Sequence, residues 1–219
     1  MRLALFDLDH TLIPFDSGMA WTRHLVALGA LEAEAEQRYL GYCHQYVAGT
    51  LDIHAMHRAV VAPLAAFEPV QLHAWREDFA RRMAGRLSPA MREAVARHLA
   101  QGDTCAIVTA TSRLVAEPFA RACGIEHLVA TEPVMVEGRP AGDIEGLPCY
   151  REHKVTRVAA WLAGLGAPPL EQATRSWFYS DSISDLPLLQ CVTDPVAVRP
   201  DARLRELCRE RGWSIIDDV

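Results

Sequence analysis

The chain has 219 residues, half of them apolar and 23% charged, and a formal net charge of −6. It is long enough for a buried core and too apolar for a disordered chain, and its acidic balance argues against a nucleic-acid partner. Six cysteines without a C-x-x-C pair, no apolar run near the ~20 residues of a membrane span, and acids from position 7 onward predict a reduced, cytoplasmic protein with no secretory leader and no membrane partner.

The first element is the apolar run that opens "LALFDLDHTL", residues 3–12. Having no polar face, it predicts a strand buried on both sides. The strand ends at Asp7 and Asp9, whose carboxylates repel each other unless a cation or a proton lies between them. Residues 17–86 then read as helices throughout. "SGMAWTRHLVALGA" and "LEAEAEQRYLGYCHQYVAG" carry apolar residues at three- and four-residue spacing, Asp52 is an N-cap for "IHAMHRAVVAPLAAF", and Pro69 opens "VQLHAWREDFARRMAGR".

Beyond residue 87 the pattern changes. Ser88-Pro89 starts a helix that Gly102 stops, and "TCAIVTAT" is a strand. "SRLVAEPFARACG" is a helix, "EHLVAT" a strand, and "PVMVEGRPAGDIEG" a hairpin turning at Glu137-Gly138. "REHKVTRVAAWLAGLG" is a helix, "SWFYSD" and "DPVAV" are strands, and "PDARLRELCRERG" is a helix. The charged stretches "AWREDFARRMAGR" and "RLRELCRERG" mix both signs and read as solvated helix faces. Strands alternating with helices predict a doubly wound α/β core with a parallel sheet, made of residues 1–14 and 87–219, interrupted by an all-helical insert over 15–86.

Three of the predicted strands end in polar residues, at Asp7, Thr109 and Ser180-Asp181. In open parallel sheets the functional crevice lies beyond the carboxyl ends of the strands, so neighbouring strands would bring Asp7, Asp9, Thr109, Asp181 and Asp185 together there. Such a carboxylate cluster calls for a divalent cation, and oxygen-only ligands suit Mg2+. One carboxylate could attack phosphorus, and a second, two residues on, could protonate the leaving oxygen and later activate water. The Thr109 hydroxyl and the Lys154 ammonium would hold the phosphoryl oxygens.

In order along the chain, "DLDHTL", "IVTAT", "HKV" and "YSDSISDLPLL" resemble the four motifs of the haloacid dehalogenase-like phosphohydrolases. The insert resembles that superfamily's C1-type helical cap over a Rossmann-like core, and "AGDIEG" resembles its phosphoserine phosphatase-like branch. The resemblance implies a phosphomonoesterase that uses Mg2+ and takes a small-molecule phosphate ester. It implies Asp7 as nucleophile, Asp9 as acid/base and carbonyl metal ligand, and Thr11 as a support of the loop. Thr109 and the Ala110 amide become phosphate contacts, Lys154 the third-motif lysine, and Asp181 and Asp185 the metal-site acids. Ser182, inside the fourth motif, is a candidate phosphate or substrate contact; it lacks the G-x-S-x-G context of a hydrolase serine. The chain departs from the branch at Thr109-Ala110-Thr111, where Ser-Gly-Gly is usual, and at Ser180 and Ser184, where Gly and Asn are usual.

Each of these residues also has a plainer reading. Asp7 could cap a turn, Lys154 could be a surface lysine, and Asp185 could cap the helix of "LPLL". The histidines are scattered on helices without a shared face; His54 and His57 stand one turn apart, but no H-E-x-x-H follows, so a zinc site is not expected. Other functions remain: a receiver-type phosphoacceptor module, a non-catalytic binding protein, and a phosphomutase or phosphotransferase. For the substrate, Asp16 matches the branch's amine-binding acid but could merely N-cap a helix. Arg58 is the nearest candidate for a carboxylate partner, yet it stands two residues, about 200° on a helix, from the aligned Val60. An acid without that arginine favours an amino-alcohol phosphate such as histidinol phosphate over phosphoserine. A monomer or a homodimer is expected.

Overall fold

The computed structural model describes residues 1–83 and 85–217. The two expected domain ranges, and the helix expected to run on from Pro69, extend across residue 84 and residues 218–219, which lie outside the described residues. The sheet forms from β1 (Arg2–Phe6), β2 (Thr104–Ser112), β3 (His127–Thr131), β6 (Arg175–Ser180), β7 (Asp194–Val198) and β8 (Ser214–Ile216). Its order is β3-β2-β1-β6-β7-β8 and every pairing is parallel. Phe6 pairs with Ile107 on one side and Tyr179 on the other, so β1 ends beside the end of β6 and beside the middle of β2. The chain works outward from β1 to β3 and then returns to β6, which places the switch in strand order at the end of β1. A separate antiparallel pair, β4 (Pro133–Val136) and β5 (Arg139–Ile144), turns at Glu137-Gly138.

Alternation along the strands divides the apolar residues between two faces. Leu3, Leu5, Val108 and Phe178 meet α7 (His153–Gly164), α8 (Leu186–Leu189) and α9 (Ala202–Arg211) through Val158, Leu188 and Leu204. Ala4, Phe6, Ile107 and Tyr179 face α5 (Pro89–Ala100) and α6 (Arg113–Cys123) through Met91 and Phe119. Between β1 and α5 the described residues form only helices and turns: α1 (Ser17–Ala27), α2 (Glu34–Ala48), α3 (Ile53–Val61), a short 3₁₀ turn, and α4 (Pro69–Met83). Side-chain caps start several helices, from Asp16 to the Met19 amide, Asp52 to His54 and Ala55, and Ser88 to Met91.

The insert is tied to the sheet rather than standing apart from it. Trp21 and Leu25 of α1 and Phe79 of α4 belong to the same apolar cluster as Phe6 and Phe119. Pro118, inside α6, cannot donate to the Leu114 carbonyl; that carbonyl accepts from Arg76 Nε of α4 at 2.9 Å, and Arg76 also pairs with Glu117. On the far side α3 packs on β5, where Gly142 at φ +89 admits Ala62 so closely that a Cβ would lie 2.7 Å from the alanine's own.

Candidate active site

The geometry is built at the end of β1. Asp7 keeps the sheet's pairing, its amide donating to the Tyr179 carbonyl at 2.9 Å. The chain then leaves the sheet in an irregular turn over Leu8–Leu12, with Asp9 extended and His10 in the left-handed region at φ 56. Arg199 holds this turn by donating to the His10 carbonyl at 2.7 Å. A non-glycine residue at positive φ stores strain, which the surrounding bonds offset.

Lys154, two residues into α7 and 2% exposed, reaches under the turn. Its Nζ donates to Asp7 Oδ1 at 2.8 Å and to Asp185 Oδ2 at 2.7 Å. Burial works against the ammonium, but Asp185 and Asp7 outweigh it and hold the lysine charged well above the ordinary range. Ser180 Oγ adds a donor to Asp185 Oδ2 at 2.8 Å. Thr11 Oγ1 lies 3.4 Å from both Asp7 Oδ2 and Asp181 Oδ1. Burial pushes Asp181 up well above the carboxylate range, and Asp7 and Asp185 push it further.

Asp9 is held from two sides: Ser17 N donates to its Oδ1 and Thr111 Oγ1 to its Oδ2, both at 2.6 Å. Thr109, within β2, is buried, and its hydroxyl accepts from the Thr111 amide at 3.1 Å. Ala110 stands between them on the wall of a cavity of about 710 Å³. Asp16 lines that cavity too, and it serves both readings that the sequence left open. Its Oδ1 caps α1 at 2.7 Å and accepts from Tyr39 Oη at 2.9 Å, and burial, with Asp9 adding, raises its carboxyl to about 6.

The expected site residues therefore gather, with one exception. Ser182 is at the wall but is engaged, its Oγ accepting from Tyr46 Oη at 3.0 Å and from the Ser184 amide at 3.2 Å. Arg58 is not brought in: it is exposed and pairs at 3.0 Å with Asp143 of β5, on the outer side of α3. What the sequence reading missed is the aromatic wall. Tyr39, Tyr42 and Tyr46 of α2 face the cavity together with Tyr150. Their spacing in "YLGYCHQY" is an ordinary apolar helix face until the fold points it at the acids. Arg151 and Arg203 also line the cavity, and neither carried a sequence signal.

Among the described residues no three His, Cys, Asp or Glu side chains form a ready metal cluster. Two carboxylates, Asp7 and Asp181, flank one Thr11 hydroxyl, which has a single proton and can satisfy only one of them. With Asp185 close by, and Lys154 the one cation bonded to Asp7 and Asp185 among the described residues, the centre carries excess negative charge on hard oxygen donors. That set fits a divalent cation completed by backbone carbonyl and water oxygens.

Residues 4–190 match the model of the haloacid dehalogenase-like hydrolase family. A histidinol-phosphatase of Neisseria meningitidis serogroup C (strain 8013) is 36% identical over 219 residues, covering 99% of this chain and 98% of that one. The phosphoserine phosphatase SerB1 of Mycobacterium tuberculosis (strain ATCC 25618 / H37Rv) is 32% identical over 224 residues, covering 98% and 70%. A crystal structure of a protein of unknown function from Bordetella pertussis Tohama I superposes with a TM-score of 0.92 at 45% identity, covering 100% and 99%.

Proposed function

Because the chain belongs to the haloacid dehalogenase-like hydrolase family, in its phosphoserine phosphatase-like branch, and is a phosphatase, we propose that it hydrolyses a small amino-alcohol phosphate, histidinol phosphate in particular, through an aspartyl phosphate on Asp7. The carrying observation is the half-buried Asp16 carboxylate. It stands in an aromatic cavity and, among the described residues, no cationic side chain is bonded to it, while Arg58 is turned away on Asp143. A carboxylate raised to about 6 by burial gains most from an incoming ammonium or imidazolium. The tyrosines of the wall offer faces to a flat, positively charged ring. The histidinol-phosphatase relative supports the same substrate.

Asp7 attacks phosphorus in line; the bond to the ester oxygen breaks, and protonated Asp9 gives that oxygen its proton, releasing the alcohol. Asp9, now a carboxylate, takes a proton from water as the water oxygen attacks the same phosphorus. The bond to Asp7 breaks and inorganic phosphate leaves. Thr109, the Ala110 amide and Lys154 hold the phosphoryl oxygens through both steps. Asp7, Asp181 and the Asp9 carbonyl, supported by Asp185, are the groups that would hold Mg2+, which would offset charge on the phosphoryl oxygens. The insert, residues 15–86, acts as a cap on a core of 1–14 and 87–219, with Tyr46 bridging to Ser182 and Ser184 at 3.0 and 2.7 Å.

Comparison of kcat/KM for histidinol phosphate and phosphoserine, in wild type and Asp16→Ala, tests the reading. We expect the wild type to favour histidinol phosphate by about 10- to 100-fold, as loss of one buried charged contact entails, and the variant to lose that margin. A wild-type preference for phosphoserine would instead assign a carboxylate contact to Arg151 or Arg203.

A further inference from the structure

We infer that Thr111 is a positioning residue for Asp9, and that β2 and the first turn of α1 aim the proton donor jointly. The inference rests on the reading of Asp9 as acid and base. The two carboxylate oxygens of Asp9 each receive one short bond, 2.6 Å from Ser17 N and 2.6 Å from Thr111 Oγ1. The two donor residues also touch each other, Ser17 Oγ lying 3.3 Å from Thr111 Oγ1, which closes a three-residue ring around the carboxylate. Thr111 is itself fixed, because its amide donates to Thr109 Oγ1 at 3.1 Å.

This arrangement does what the backbone at Asp9 cannot. The turn that carries Asp9 has left the sheet, and Asp9 itself is only half-buried beside the exposed His10. Two donors converging from different elements define its side-chain torsions. The donors are not equivalent. An amide can only donate, so Ser17 N serves Asp9 equally on whichever oxygen it meets. A hydroxyl must be aimed, and Thr111 Oγ1 donates to the carboxylate while also meeting Ser17 Oγ. Thr111 therefore fixes one carboxylate oxygen of Asp9 while Ser17 N fixes the other. Valine has the same shape and cannot donate.

The test exploits the leaving group. An alkoxide must be protonated as it leaves, whereas p-nitrophenolate leaves without help, so a misaimed acid slows the first step of the alkyl ester alone, while the second step is common to both esters. Steady-state kinetics on histidinol phosphate and p-nitrophenyl phosphate are compared for wild type, Thr111→Val, Thr111→Ser and Asp9→Asn. Departure of the nitrophenolate group is read as a pre-steady-state burst, which isolates the first step. We expect Thr111→Val to lower kcat on the alkyl ester about 10- to 100-fold with KM changed less than about threefold, to leave the burst rate within about threefold, and Thr111→Ser to recover most of the loss. Should Thr111→Val fail to fold, Thr111→Ala carries the same comparison. Equal losses of kcat/KM, which reports the first step, on both esters, no loss on either, or no recovery with serine would overturn the inference. The Asp9→Asn control separates its failure from that of the underlying reading. If Asp9→Asn shows no difference between the esters, Asp9 is not the acid and both fall. If it does and Thr111→Val does not, the inference alone falls.

Discussion

Asp7 accepts from Lys154 at 2.8 Å, yet burial pushes its carboxyl up to about 7, with Asp185 and Asp9 adding to the rise and Lys154 opposing it. A carboxylate so placed is fixed by its neighbours and keeps its charge only where cations compensate it. Asp7→Asn keeps the shape and removes the attacking oxygen anion. We expect turnover to fall by roughly 10⁴-fold or more while circular dichroism and the melting curve stay native, because Asp185 remains as the partner of Lys154. Turnover near the wild-type rate would remove Asp7 from the reaction. Asp16 shows how one residue can serve two ends: its cap to Met19 is local and legible, whereas its contact with Tyr39 crosses from α1 to α2.

At the scale of elements, the joint between α3 and the β4–β5 hairpin has a built-in pH response. His57 is 4% exposed and its Nε2 has no hydrogen-bond partner among the described residues. Burial pulls its imidazole down to about 4, and the nearby Asp143 only partly opposes this. The unfolded chain takes up this proton near pH 6.5 and the folded chain only near 4, so the stabilisation is complete above about 6.5 and is lost as pH falls towards 4. His57→Leu removes both the titration and the unpaired nitrogen. We expect the variant's stability margin over wild type, from urea melts, to widen by about 2 kcal/mol between pH 7.5 and 4.5. A margin independent of pH would show that His57 does not titrate in this range.

At the scale of the molecule, the strand order sets the chemistry. β1 lies between β2 and β6, so together they deliver Asp7, Thr109 and Asp181 to one crevice, and α7 brings Lys154 from beneath. An excess of carboxylates at one place destabilises a fold, and a divalent ion held there would bind the folded state alone. Exhaustive chelation should abolish phosphatase activity and Mg2+ should restore it, with Ca2+ restoring it poorly because its looser shell spoils in-line geometry. Independently of turnover, Mg2+ at about 100 times its dissociation constant should stabilise by about 2.7 kcal/mol, a rise in Tm of several degrees, and Asp181→Asn should abolish the rise. Full activity after chelation, with no shift in Tm, would exclude the metal.

The sequence by itself determined the elements and the chemistry at their ends. "LALF", "CAIV" and "WFY" are apolar on both sides and stop at polar residues, and caps such as Asp52 and Ser88 are written within four residues of the helices they start. These signals are local, so they survive without a fold. β8, the three residues "SII", was not legible, since so short a run becomes a strand only beside β7. The doubling of Asp16, the turning of Arg58 to Asp143, the tyrosine wall and the grip of Thr111 on Asp9 were decided by tertiary structure alone. Each depends on which face of one element meets another far along the chain, and that is set by burying the shared apolar cluster of Phe6, Trp21, Phe79 and Phe119 rather than by any local pattern.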